Sequence, residues 1–331
     1  MKKVFSIDFQ LHKVTGIEKV MMDIHNSVKG EYAAKIVGNL PYSRIKKDHG
    51  ISKEDYLRIR NPFIFHNSIV FVHDRRLLLP LWILNTFFFQ RIQIVYIHHN
   101  VLVGNKILTL FPKNVVAISD SGIRNLIDYF GIEKERITKI HNCVVDQKPD
   151  EHKVCDGSEI SVLYPARINR VKRQMEIVEK LRGKIDKRVK IYFAGEGPLL
   201  DVLRESLKFD EQFFALGYRD DVLKLLQACD YMMLFSTQEG LPITLIEATM
   251  CGTPIICNSV GGNEEIALKG ENAFVAPSPD DYDWLVNTLN GLPDVSKDKY
   301  KAMSKASRMV YEKNYTFDSF QKKYLELLKS L

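Results

Sequence analysis

The densest run of chemistry in the chain is Phe235-Ser236-Thr237-Gln238-Glu239-Gly240-Leu241-Pro242-Ile243-Thr244-Leu245-Ile246-Glu247-Ala248. A buried strand is expected to end at Phe235, a polar loop follows, and Pro242 suits the first turn of a helix. Glu239 and Gly240 then fall at a helix N-terminus, where free N–H groups and the positive end of the dipole favour an anion such as a phosphate. Glu247 lies little more than a turn into that helix, so both carboxylates could face one bound molecule. A carboxylate in such a place can accept two hydroxyls at once, which suits a sugar. The competing reading is a capping glutamate plus a solvated helical one. The flanking strand, the Gly-x-Pro turn and the following Cys251-Gly252-Thr253-Pro254 weigh against it.

A second run, Tyr164-Pro165-Ala166-Arg167-Ile168-Asn169-Arg170-Val171-Lys172-Arg173-Gln174, leads from a strand end into a helix. Arg167 offers a forked donor and Lys172 a point charge, a pair suited to neutralising a pyrophosphate; a solvated basic loop is the alternative. Gly195-Glu196-Gly197-Pro198 is a strand–turn–helix junction that tight-turn geometry alone explains. Ser259-Val260-Gly261-Gly262-Asn263 would let backbone approach a ligand closely, or is a plain turn. In the first half, Val14-Thr15-Gly16-Ile17-Glu18 opens the first helix. It lacks the Gly-x-Gly-x-x-Gly fingerprint, which argues against a nicotinamide or flavin oxidoreductase. His98 and His99 stand at a strand end and could donate hydrogen bonds or handle protons. Adjacent strand residues diverge, so at most one faces a ligand, and a structural role suits either equally. Ser119 and Asp281-Tyr282-Asp283 read as helix caps. No metal cluster, Walker loop or serine nucleophile elbow is evident.

The elements that must hold these residues alternate. Strands are expected at 4–9, 35–38, 69–72, 92–97, 115–118 and 137–140, then at 161–164, 189–194, 213–216, 231–235 and 254–258. Helical patterns fill the gaps, at 17–28, 75–89, 121–130, 173–181, 199–207, 221–228 and 242–250, and the chain is helical from about 281. Strands separated by helices imply right-handed βαβ units and parallel sheets covered on both faces. The expected fold class is α/β, with two Rossmann-like doubly wound domains facing a cleft. Their expected bounds are 1–148 and 159–314, with a linker at 149–158 and a final helix at 315–331. Ligands of such folds bind at the carboxyl ends of the strands.

Length and charge agree with two domains: 331 residues, 45% apolar and 27% charged, exclude wholesale disorder or a fibrous repeat. The net charge of +6 is uneven, with residues 1–150 carrying +8 and residues 151–331 carrying −2. All nine histidines precede residue 153, so the halves are expected to meet different partners. Five cysteines without a Cys-x-x-Cys pair indicate neither zinc nor a disulfide framework, and a cytoplasmic setting is expected. The apolar stretch at 77–97 is interrupted by polar residues and Pro80, short of a spanning helix. Lys46, Lys47, Lys53, Arg58, Arg60, Arg75 and Arg76, with a helix at 77–89, could touch an anionic leaflet at the inner face of the plasma membrane. A buried core helix is the favoured alternative, since a helix apolar all round is usually buried.

Taken together, these motifs resemble the retaining glycosyltransferases of family 4, which have the GT-B fold. The matching features run in family order: the Gly16 loop, His98-His99-Asn100, Val115-Val116-Ala117-Ile118-Ser119, Ile140-His141-Asn142, Arg167 with Lys172, Gly195-Glu196-Gly197-Pro198, Leu216-Gly217-Tyr218-Arg219-Asp220-Asp221, and Glu239-Gly240 with Glu247. The resemblance implies a nucleotide-diphosphate sugar donor, a UDP-sugar in preference to a GDP-sugar, held mainly by the second domain. Arg167 and Lys172 would bind the diphosphate, Glu239 the sugar hydroxyls and Glu247 the ribose. Gly240, Leu241 and Pro242 would line the sugar and phosphate, with Gly195 in the donor site and Tyr218 and Arg219 beside the base. Gly16 would approach the diphosphate and His98 the donor sugar near its anomeric carbon, and the final helix would cross back to pack on the first domain. No cofactor or metal is implied, two protein cations standing in its place. Arg173 occupies a position where the family often has glycine. The acceptor would be a saccharide or a polyprenyl-linked sugar for cell-surface polysaccharide or glycolipid synthesis, and no nucleic-acid partner is expected. The alternatives are a non-catalytic nucleotide-sugar-binding protein and a GT-B nucleotide-sugar epimerase.

Overall fold

Strand β1 (Lys3–Ile7) is buried from its second residue onward, as a strand covered on both faces must be. Parallel strands β2 (Ala33–Gly38), β3 (Tyr56–Arg58), β4 (Ser68–Val72), β5 (Gln93–His98), β6 (Asn114–Ala117) and β7 (Ile137–Lys139) join it in the order β3-β2-β1-β4-β5-β6-β7. Ile7 lies opposite Val37 on one side and Val72 on the other. The computed structural model describes residues 2–11, 16–45, 50–104, 106, 109–149 and 157–331.

Helices α1 (Gly16–Val28), α2 (Leu78–Phe87) and α3 (Asp120–Arg124) belong to this sheet. Side chains Phe5, Val70, Val72 and Tyr96 form one core with Leu78, Leu81 and Leu84 of α2. The opposite face of β4 carries Phe71, whose ring meets Tyr324 edge-on at 5.7 Å. Tyr324 lies on the last helix, α11 (Phe317–Ser330), whose Gln321 donates to the Ser27 carbonyl at 3.0 Å. Residues Met1–Cys143 and Phe317–Leu331 therefore make one compact unit.

The other unit, Val144–Thr316, holds β8 (Ile160–Pro165), β9 (Val189–Ala194), β10 (Phe213–Gly217), β11 (Tyr231–Leu234), β12 (Ile255–Asn258) and β13 (Ala273–Ala276). All are parallel, in the order β10-β9-β8-β11-β12-β13. Helices α4 (Gln174–Leu181), α5 (Leu200–Ser206), α6 (Val222–Ala228), α7 (Ile243–Met250), α8 (Asn263–Ile266), α9 (Tyr282–Gly291) and α10 (Lys297–Asn314) complete it. The two sheets are those of two doubly wound, Rossmann-like domains.

Three expectations are corrected. Residues 144–148 were expected with the first domain, but Val144 accepts from the Tyr311 hydroxyl at 2.9 Å and donates to Tyr315, and Asp146 pairs with Arg308. Tyr315 was expected in the final helix, but its hydroxyl reaches the Glu265 carbonyl at 2.7 Å within the second unit. Most of the expected linker, 150–156, lies outside the described residues. Helix α2 is not wholly core: Leu79, Trp82, Ile83 and Phe87 stand exposed on its outer side. Among the described residues no helix is long and apolar enough to cross a membrane.

Candidate functional site

In the second sheet the chain starts at β8, runs outward to β9 and β10, then returns to lay β11 on the other side of β8. Strands β8 and β11 thus flank the point where the strand order reverses, and ligands of this topology bind beyond the carboxyl ends of such strands. The loops leaving these two strands carry the motifs singled out from sequence. The Lys172 ammonium bonds the Glu239 carboxylate directly. Glu239 is 8% exposed and Lys172 20%, so the pair is largely shielded yet still reachable. Ser236 donates from its hydroxyl to the same carboxylate oxygen at 2.6 Å.

Backbone contacts hold this arrangement. The Thr237 N–H donates to the Val171 carbonyl at 2.9 Å, so the two loops pair past the ends of their strands. Asn169 accepts from the Lys172 N–H at 3.0 Å and caps the short turn that carries the lysine. Beneath both loops the buried Tyr164 hydroxyl donates to the Lys172 carbonyl at 2.7 Å and accepts from the Phe235 N–H at 3.2 Å. Burial, and after it the nearby Glu239 carboxylate, pushes the Tyr164 phenol well above its usual range. The phenol thus stays a neutral two-way hydrogen bonder. Asn258, at the end of β12, brackets Ser236, donating to its carbonyl at 2.7 Å and accepting from its N–H at 3.3 Å.

Arg173 has φ +58°, a left-handed conformation that suits glycine better than arginine. Its guanidinium holds Asp280 and donates to the Pro279 carbonyl at 2.9 Å. The side chain therefore ties the loop to the segment before α9, and its charge is committed there.

The glycine motifs serve loop packing. A β-carbon on Gly195 would lie 2.1 Å from the Ala166 carbonyl oxygen, so the turn after β9 sits directly against the Arg167 loop. The diglycine after β12 approaches protein and not solvent: a β-carbon on Gly261 would stand 2.2 Å from the Glu239 carbonyl oxygen, and Gly262 donates to Gly240 at 2.7 Å. This loop thus supports the Glu239 turn from behind. Gly240, Leu241 and Pro242 are buried where that turn enters α7, and Glu247 is half-buried on α7.

Arg167 is exposed two residues beyond β8, on the same edge. Tyr218 and Arg219 follow β10 directly, both exposed, and Arg219 forms a forked pair with Asp221, its Nε 2.7 Å from the carboxylate. The structure thus joins Lys172 to Glu239 and sets the loops of Gly195 and Arg167 side by side. Sequence reasoning gave no role to Tyr164, Ser236 or Asn258. Their signal is position, since each stands at or just past a strand end.

In the first unit, Gly16 is the exposed first residue of α1, and residues 12–15 before it lie outside the described residues. His98 is fully buried, with Nε2 3.0 Å from the Asn125 Oδ1. Its other ring nitrogen, Nδ1, is buried with no hydrogen-bond partner among the described residues. His99 turns to the other side and stacks on His73, Nδ1 of His73 lying 2.9 Å from Nε2 of His99. Desolvation lowers His98 to about 4 and His73 to about 3, and drives His99 well down. Asp8, just past β1, is raised to about 6 by burial. Neither Asp8 nor His73 was singled out from sequence.

Residues 147–310 match the family described as glycosyl transferases group 1. The chain is 30% identical over 125 residues to N-acetyl-alpha-D-glucosaminyl L-malate synthase of Bacillus anthracis, covering 36% of this chain and 32% of that protein. It is 29% identical over 119 residues to UDP-Gal:alpha-D-GlcNAc-diphosphoundecaprenol alpha-1,3-galactosyltransferase of Escherichia coli, covering 34% and 30%. These matches span about a third of the curated relatives' length. The fold is shared with Anabaena Alr3699/HepE, solved in complex with UDP and glucose, at TM-score 0.84 and 18% identity over 100% of both chains. The segment that matches the glycosyl transferases group 1 family contains every loop around the Lys172–Glu239 pair, and it is through these loops that the chain is similar to that family.

Proposed function

We propose that the chain is a retaining glycosyltransferase that moves a hexose from a nucleotide diphosphate sugar to a saccharide or lipid-linked acceptor, with UDP-sugars preferred to GDP-sugars. The observation that carries this reading is the Lys172–Glu239 pair beyond the carboxyl ends of β8 and β11. Lys172 and the exposed Arg167 supply positive charge for a diphosphate. They stabilise it as the bond from the anomeric carbon to the phosphate oxygen breaks and its electron pair passes to the phosphate. Glu239 accepts sugar hydroxyls, held in orientation by Ser236. The acceptor oxygen bonds to the anomeric carbon on the face the phosphate leaves, and its proton passes to the departing phosphate oxygen. Two protein cations then do what a divalent metal does in other transferases. The reading is supported by a relative named for UDP-Gal and a diphosphoundecaprenol acceptor, and by a neighbour that binds UDP and glucose. A lipid-linked acceptor would be met at a membrane, so the chain works as a peripheral protein in cell-surface polysaccharide or glycolipid synthesis.

The test is a thermal-shift and transfer screen over UDP- and GDP-sugars. At a hundredfold excess over Kd a bound nucleotide adds about 2.7 kcal/mol, or about 5–10 °C in Tm for a unit of this size. Glu239→Ala should cost at least about a hundredfold in turnover. The reading is lost if no nucleotide diphosphate raises Tm and Glu239→Ala leaves turnover unchanged. Product formation without any acceptor would point instead to an epimerase.

A further inference from the structure

We infer that the outer face of α2 and the tip that follows it dock the chain on an anionic lipid surface. Leu79, Trp82, Ile83, Phe87, Phe88 and Phe89 are all exposed, and the last three are 65%, 54% and 80% exposed. They share one side because α2 puts Leu78, Leu81 and Leu84 inward, which turns the positions beside them outward at helical spacing. Phe63, itself exposed, meets Phe88 edge-on at 5.7 Å, and Trp82 meets Phe87 at 6.3 Å. A contiguous apolar patch of this kind on a protein surface marks an interaction site.

The tip is held out at a cost. Phe88 ends the helix, and Phe89 follows with φ +50°. That is the left-handed position where helices usually place glycine, and a bulky side chain there is strained. Gln90 turns inward and donates to the Phe88 carbonyl at 2.8 Å, which fixes the bend. The chain thus gives up both backbone and burial energy to present a phenylalanine to solvent.

Charge selects the occupant. Between residues 58 and 93 stand Arg58, Arg60, Arg75, Arg76 and Arg91 against a single acid, Asp74. Arg91, two residues past Phe89, lines a surface pocket with Lys2, a place for a headgroup phosphate. Aromatic rings at the headgroup level with cations beside them fit an anionic leaflet. The surplus of like charge works against pairing with a second copy of the chain. The cations Lys46 and Lys47, expected to take part, lie outside the described residues.

The inference rests on the lipid-linked acceptor reading for its purpose, though not for its test. The full chain is floated with phosphatidylcholine vesicles with and without phosphatidylglycerol, at low and high salt. Binding to the anionic vesicles that weakens with salt is expected. Phe89→Gly should lower vesicle affinity about tenfold while its Tm holds or rises, because the strained φ is relieved. Lys2→Gln with Arg91→Gln should remove most of the preference for anionic lipid. Absence of binding to anionic vesicles at low salt, or unchanged binding by Phe89→Gly, overturns the inference. So does a lipid-free dimer that Phe89→Gly dissociates, since the face is then a self-interface. Vesicle binding needs neither donor nor acceptor. A chain that floats but binds no nucleotide sugar therefore loses the transferase reading alone, and one that binds UDP-sugar but never floats loses this inference alone.

Discussion

Gly261→Ala tests whether the loop after β12 positions the candidate catalytic carboxylate. Its φ is +61°, and an added β-carbon would meet the Glu239 carbonyl oxygen at 2.2 Å, its carbonyl carbon at 2.7 Å and its β-carbon at 3.1 Å. A normal contact to that oxygen needs about 3.2 Å, so the Glu239 turn must retreat by about 1 Å, and a misplacement of that size costs about a hundredfold in rate. The left-handed backbone adds about 1–2 kcal/mol and the crowding about 1–3 kcal/mol. Together these lower Tm by about 4–20 °C for a unit of this size.

The control is Gly183→Ala, at φ +73° with nothing within 4 Å of the added carbon. It carries the backbone strain without the clash, so it should cost about 1–2 kcal/mol and leave turnover intact. Calorimetric UDP affinity and steady-state transfer are measured on both variants. If Gly261→Ala keeps UDP affinity and turnover within about twofold of the parent, the loop does not set Glu239 and the reasoning is wrong. If both variants lose turnover equally, backbone strain alone explains the loss and the contact explains nothing.

Tyr164→Phe orphans the Phe235 N–H and the Lys172 carbonyl, so chemical denaturation should show a loss of about 1–3 kcal/mol, and UDP affinity should fall as the two loops loosen. An unaltered UDP affinity would show that the phenol holds the fold and not the site. Stability of the full chain should fall as pH drops from about 6.5 towards 4. There the unfolded chain protonates His73, His98 and His99 while the folded one resists, at up to about 1.4 kcal/mol per pH unit for each. Asp8 has the opposite sign. Its folded carboxyl keeps a proton up to about 6 while the unfolded one ionises near the ordinary value, so its effect is a loss of stability as pH rises through that interval. Asp8→Asn should stabilise above pH 6 and change nothing well below pH 4. Urea midpoints across a pH series check both statements, and a flat difference between Asp8→Asn and parent would refute the second.

The sheets were legible because parallel strands covered on both faces leave continuous apolar runs, and 189–194 was read to the residue. The two strands missed, β3 and β13, are edge strands of three and four residues, too short for periodicity to mark them, whereas β7, as short, registered through its β-branched Ile137-Thr138. The Lys172 and Glu239 loops were legible because Gly, Pro and charge cluster only where strand passes to helix. What escaped was pairing across the sheet. Tyr164 and Phe235 are 71 residues apart, and no local pattern says that one hydroxyl will serve both loops. The two readings of the diglycine, close approach to a ligand or a plain turn, stay open in the sequence for a related reason. A glycine permits close approach, but sequence does not say to what, and here the partner is the backbone of Glu239. The exposed face of α2 escaped because uniform apolarity hides which side is covered.

Both sheets reverse direction at their first strand, yet the groups at the two reversal points differ in kind. In the second unit the loops after β8 and β11 bring together an ammonium, a carboxylate and a hydroxyl that remain partly reachable. In the first, Asp8, His73 and His99 past β1, β4 and β5 are sunk below the surface and pushed towards their neutral forms. A shared topology supplies the crevice, and burial decides what it can bind. A shielded charge pair that still meets solvent can exchange its partner for a diphosphate. A neutral imidazole stack cannot gain a proton without paying for desolvation, so it orients hydrogen bonds and does not hold an anion. Among the described residues none of the first unit's lysines and arginines is buried, so their charge is offered at the surface, as at Arg91 two residues past Phe89.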